Sequence, residues 1–283
     1  MGAAESSAAS HLQTCRSLAV MRTEAAVLLS QPADAERKYP QPLPFGWRLR
    51  HALSYLIGGI SFTIASISYF PSISNYSLGG WGFTIGSAAF LYADVIEWAL
   101  NNHVGCCLDE KYRKDFERLV SQTYSHPETF HGQFQRASPG LNFATSVCGS
   151  FLYLLGSVFF IPSTGLLNDG TEIFIYGSAL IFLSQSIKVF RQGCNNVNDA
   201  RDFSFSIHNY ANDLPALGVD TGAGIGGLLY LIGSVYFLPE NDVSDSVTRT
   251  AAFLFTLAGL SFVASGCFIV TRYFFVYPPK FPI

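Results

Sequence analysis

The sequence predicts an all-α fold: a polytopic helical membrane bundle of six transmembrane helices built from three helical hairpins. Three observations predict it. The chain of 283 residues is 49% hydrophobic and only 13% charged, with 25 Phe and 25 Gly, where a soluble domain carries about 25% charged residues. Six apolar runs reach or approach the roughly 20 residues needed to cross a hydrocarbon core. The Lys and Arg residues fall almost entirely on one side of those runs. With a formal net charge of −3, the same figures exclude a basic nucleic-acid surface, a disulfide-dense secreted module and a wholly disordered chain.

The runs are residues 52–70, 78–100, 143–161, 173–190, 221–238 and 250–271. Four carry no charge; the second holds Asp94 and Glu97 near its end, and the fourth holds Lys188 late. Backbone groups in lipid must bond within their own segment, so each run is expected to be helical. They organise the chain as a mostly disordered N-terminal arm (1–45), a first hairpin (46–100), a connection (101–142), a second hairpin (143–191), a loop rich in Asn and Asp (192–220), a third hairpin (221–276) and a short tail (277–283). The arm has no signal-peptide core, and Pro40, Pro42 and Pro44 stiffen its entry into the first span. Within the first connection, residues 109–123 place Tyr112, Phe116, Leu119 and Val120 on one face, the pattern of an amphipathic surface helix. Of the 17 basic residues, 16 fall in the arm, the long connections, the end of the fourth run or the tail, and only Arg249 in the three short turns. Both termini are therefore expected in the cytosol.

An internal repeat underlies the pairs. The odd-numbered runs end on Pro71, Pro162 and Pro239. Counting back, five residues before each proline stand Ser66, Ser157 and Ser234; six before, Ala65, Gly156 and Gly233; nine before, Phe62, Tyr153 and Tyr230; thirteen before, Gly58, Gly149 and Gly226. The even runs continue the register with Gly86-Ser87 and Gly177-Ser178, fifteen and sixteen residues after the proline. The unit is a two-span hairpin present three times in one orientation. Its glycines recur seven apart, two helical turns, and so share a face. Small residues let backbones approach closely in lipid, which makes Gly58, Gly86, Gly149, Gly156, Gly177, Gly226 and Gly233 the expected helix-packing positions, with Gly82 completing a GxxxG.

The segments Tyr153-Leu-Leu-Gly-Ser-Val-Phe-Phe-Ile-Pro162 and Tyr230-Leu-Ile-Gly-Ser-Val-Tyr-Phe-Leu-Pro239, each followed by a second apolar span, resemble the YrhK-like family. Ile85-Gly-Ser87 and Tyr176-Gly-Ser178 fit the same pattern. The resemblance implies three tandem copies of a small two-span membrane domain, and it supplies no catalytic residues. The first copy departs from the pattern, with Ala65 for Gly and Ser68 for an aromatic.

Few residues offer chemistry. Gly222-Ala-Gly224-Ile-Gly226-Gly227 spells GxGxxG, but it opens a membrane run instead of following a strand, so dinucleotide binding is not expected. Asp94 is a candidate proton or cation site, since ionisable groups within spans default to function. Glu97 and Lys188 lie eleven residues after Gly86 and Gly177, at matching depth, and are a candidate intramembrane charge pair. His103, Cys106, Cys107, His126 and His131 share the first connection, but their spacing matches no standard zinc pattern, and no metal or other cofactor is expected. Cys106, Cys107 and Cys194 beside span ends are candidate lipidation sites, as is Gly2 in Met1-Gly-Ala-Ala-Glu-Ser6. Asn75-Tyr-Ser77 is a glycosylation sequon in a short turn.

The expected function is non-enzymatic, a membrane scaffold or interaction protein. Its expected partners are membrane lipid and either other proteins or further copies of itself, and no nucleic acid. The alternative is a small-solute or ion transporter or channel with a path between the three hairpins. That needs polar groups converging at mid-depth, for which the runs offer Ser61, Thr63, Ser66, Ser157, Ser184, Gln185 and Ser234.

Overall fold

The computed structural model describes residues 43–101, 130–195, 204–238, 240–241 and 244–276. These residues are helical, with no strands among them. The long helices are α1 (Phe45–Ile67), α2 (Tyr76–Asn101), α3 (Phe130–Phe159), α4 (Leu167–Gly193), α5 (Leu214–Tyr236) and α6 (Asp245–Val270), the last continued by a π-helical turn at Thr271–Val276. Each packs on its neighbours in sequence, and α6 also packs on α1. Neighbours run antiparallel. Trp47 near the start of α1 bonds Ile96 near the end of α2, and Gly59 and Gly266 on α1 and α6 back onto Val263 and Leu56. The result is an up-and-down ring of six helices. Short turns lie at one end, and the helix ends that lead into the long connections lie at the other.

α2 to α6 each contain a stretch long and apolar enough to cross a membrane. α1 does not, which corrects the expectation of six such helices: Arg48, Arg50 and His51 fall in its first two turns and dilute its apolarity. Element boundaries also differ. α3 begins at Phe130, not at residue 143, and continues through Pro139. α5 begins at Leu214, where Asp213 caps the helix by accepting the N–H of Ala216, so only part of 192–220 is loop. The amphipathic segment 109–123, the arm 1–42 and the tail 277–283 lie outside the described residues.

The outer surface is apolar and the interior is aromatic. On α1, Leu53, Ile57, Ile60, Ile64 and Ile67 form an outward stripe, each close to half exposed. Trp81 and Trp98 are exposed near opposite ends of α2; seventeen residues of helix separate them by about 25 Å, close to a hydrocarbon thickness. Inside the ring, Phe62, Tyr69, Phe83, Phe90, Tyr153, Phe160, Phe174, Tyr230, Phe237, Phe255 and Phe262 are all buried. Phe62 is at the centre, its ring 5.1 to 6.1 Å from those of Phe83, Phe90, Tyr153, Phe174, Tyr230 and Phe262. Most of these contacts are edge-on or tilted, the arrangement that aromatic quadrupoles favour.

The helices approach closely at glycine. A Cβ on Gly58, Gly86, Gly226 or Gly233 would meet the rings of Phe90, Phe62, Phe262 and Phe255, across the α1–α2 and α5–α6 contacts. Gly156 lies against the Gly170 carbonyl, and Gly149 and Gly177 face each other's carbonyls. Further contacts join α1 to α6, α2 to α3 and α4 to α5. A Cβ on Gly59 would stand 2.7 Å from the Val263 nitrogen, on Gly259 2.8 Å from the Thr63 backbone, on Gly80 2.8 Å from the Phe160 carbonyl, and on Gly227 3.1 Å from the Phe182 nitrogen. Gly165 closes the turn between α3 and α4 at φ +68°, a left-handed conformation natural to glycine.

Candidate functional site

Polar side chains gather where the ring's axis nears the long-connection end. α2 carries Asp94 inward, and α3 opposite it carries Ser146 and Ser150 one turn apart on one face. Ser150 donates a hydrogen bond to Asp94. This pair is buried, as is Gln185 of α4. A small cavity of about 20 Å³ lies between them, with one or more residues from each of the six helices at its wall. The Ser146 hydroxyl and the Gln185 amide oxygen are sealed from solvent without a hydrogen-bond partner of normal geometry. Towards the short-turn end the aromatic column closes the cavity, with Phe90, Tyr153 and Phe262 in its wall.

A charged layer lies between this cavity and the long-connection end. The Lys188 ammonium donates to both carboxylate oxygens of Glu97 at 3.4 Å. Both groups are largely withdrawn from water, so the contact is more than a surface ion pair. His51 Nε2 is 3.9 Å from Glu97, its ring stacks on Trp47, and its Nδ1 lies 3.3 Å from the Tyr273 hydroxyl. Arg48 Nη1 donates to the Tyr273 carbonyl at 2.6 Å. Arg272 donates from Nε and Nη2 to one oxygen of Asp213 at 3.0 and 2.8 Å. The π-helical turn after α6 is thus held to the beginnings of α1 and α5.

The seven packing glycines all lie in helix contacts. The lipidation candidate Cys194 is buried. Beside it, the Gly193 carbonyl accepts hydrogen bonds from the Ser206 N–H and the Asn209 amide. Burial pushes the Cys194 thiol up. Asn75 of the sequon accepts the Leu78 N–H and caps α2. Gly2, His103, Cys106, Cys107 and His126 lie outside the described residues. Among the described residues no group of three or more His, Cys, Asp or Glu side chains could hold a metal.

Most mid-depth polar groups bond within the protein. Ser66 lies 3.0 Å from the Tyr230 hydroxyl, Ser157 2.8 Å from Ser87, Ser184 donates to Asn142 at 2.8 Å, and Thr63 donates to its own helix. His51, Ser146, Ser150 and the Arg272–Asp213 pair escape sequence reasoning. For Ser150 a signal exists: it stands twelve residues before Pro162, where Gly59 and Gly227 stand before the other two prolines.

Five helices of this length and apolarity, with charged residues kept towards their ends, point to an integral membrane protein. Compared with known proteins, the chain matches no family model, no curated protein and no solved structure.

Proposed function

We propose that this chain is a multi-pass membrane protein whose closed bundle serves as a non-enzymatic scaffold or interaction module. One observation carries the reading: the ring's axis is filled by the aromatic column around Phe62, which is wholly buried. A conduit needs a continuous polar path, whereas the buried charged groups here lie at one end and Ser66, Ser157 and Ser184 at mid-depth bond helix to helix. We read α1 as a sixth span, because its outward Ile stripe would otherwise face water. We read the ring as three tandem copies of one hairpin, as the resemblance to the YrhK-like family implies. In support, the aligned residues Phe62, Tyr153 and Tyr230 are all buried in the aromatic core. The bias of basic residues supports cytosolic termini.

The test is flux. Liposomes holding the purified protein should pass sodium, potassium and protons no faster than protein-free liposomes. Flux that Asp94→Asn or Glu97→Gln abolishes would replace the scaffold with a transporter. Topology is tested separately by a cysteine at position 168, which should react only from the non-cytosolic side.

A further inference from the structure

The cavity beside Asp94 presents a set of oxygen atoms whose bonding capacity the fold leaves unfilled. The Asp94 carboxylate accepts from Ser150 and, among the described residues, has no cation within ion-pair distance. The nearby Lys188 is committed to Glu97. The Ser146 hydroxyl lies beside Asp94 without a hydrogen bond of normal geometry, and the Gln185 Oε1 has none. Both side chains are more than nine-tenths buried. Buried polar atoms are normally satisfied, so such a group calls for an occupant. The space, about 20 Å³, accommodates one particle of roughly water size.

The donor set selects the occupant's chemistry. A carboxylate, two hydroxyls and an amide carbonyl are all hard oxygen ligands, which suit hard cations. No thiolate or imidazole lines the cavity. A single carboxylate balances one positive charge. A divalent ion would leave a second charge uncompensated in a low-dielectric interior, with Lys188 near. The repeat register shows the set to be particular to one side of the ring. Asp94 and Gln185 each stand twenty-three residues after their proline, while Ser150 replaces the glycine found at its position in the other two copies.

We propose that this cavity binds one dehydrated monovalent cation of about the size of sodium, held by the Asp94 carboxylate, the Ser146 and Ser150 hydroxyls and the Gln185 amide oxygen. The ion ties α2, α3 and α4 together at the axis. It enters from the long-connection end, since the aromatic column closes the other side. This goes beyond the scaffold reading and is independent of whether any solute crosses the bundle.

The experiment is thermal unfolding of the full chain in detergent micelles, with sodium chloride replacing choline chloride at constant ionic strength, together with retention of radioactive sodium. The wild type should show a rise in Tm of roughly 3–6 °C once sodium reaches tenfold its dissociation constant, growing with the logarithm of sodium concentration beyond it, and should retain about one sodium per chain. Asp94→Asn should abolish both. Ser150→Gly, which restores the residue of the other copies, should leave the bundle folded and move the response to higher sodium. If Asp94→Asn does not fold, Ser150→Gly and isotope retention decide. Equal Tm in sodium and choline with no retained sodium would overturn the proposal, leaving a water or a protonated carboxyl in the cavity. An unchanged sodium response in Asp94→Asn or Ser150→Gly would overturn it too.

Discussion

Truncating Phe62 to alanine tests the packing of the bundle at its centre. Its ring is wholly buried and touches six other aromatic rings contributed by α2, α3, α4, α5 and α6. In water, Phe→Ala in a core costs about 3–5 kcal/mol, part from lost transfer energy and part from the cavity left behind. A bundle surrounded by lipid or detergent lacks much of the first part, because its surroundings are as apolar as its interior. The cavity and the lost ring contacts remain, each aromatic pair being worth about 0.5–1.5 kcal/mol and the six not additive. A loss of about 2–4 kcal/mol follows, or roughly 4–16 °C in Tm. Ile60→Ala is the control, since Ile60 is about as apolar but sits on the outward stripe, 49% exposed; its expected cost is within about 0.5 kcal/mol. The assay is unfolding followed by circular dichroism in one detergent. A Phe62→Ala midpoint equal to that of Ile60→Ala would refute the filled axis.

Three further outcomes are expected. Gly59→Ala should destabilise by about 1–3 kcal/mol in the same assay, because the new methyl meets the backbone of α6 at 2.7 Å; Gly46→Ala, with nothing within 4 Å of its Cβ, should be neutral or stabilising. A double-mutant cycle of Glu97→Gln and Lys188→Met should return a favourable coupling of about 1–3 kcal/mol, and no coupling would show the 3.4 Å contact to be incidental. A chain keeping only Cys194 should resist a membrane-permeant maleimide until unfolded, whereas rapid labelling of the folded protein would contradict its burial.

Much of the helical content is readable along the chain, because length and apolarity are local properties. Residues 78–100 and 173–190 overlap α2 and α4 closely, and the glycine register points to faces that do meet. Boundaries are harder to read where a helix continues past its apolar stretch: α3 starts among polar residues and α5 at the Asp213 cap, and Arg48 and His51 are absorbed into α1. Hydropathy alone misses such ends, since a helix outside lipid needs hydrogen bonds and caps more than apolar side chains.

The charge balance, the six helical runs and the small-residue faces belong to the sequence alone, because each depends on neighbours a few residues away. The ring's closure, the second set of glycine seams at Gly59, Gly80, Gly227 and Gly259, and the aromatic column depend on which helix lies beside which. The meeting of Asp94 with Ser150, 56 residues apart, depends on the same choice, as does that of Ser66 with Tyr230, 164 residues apart. No periodicity encodes those partners. They follow from the single arrangement in which small residues face bulky rings all the way round, and only the tertiary structure decides it.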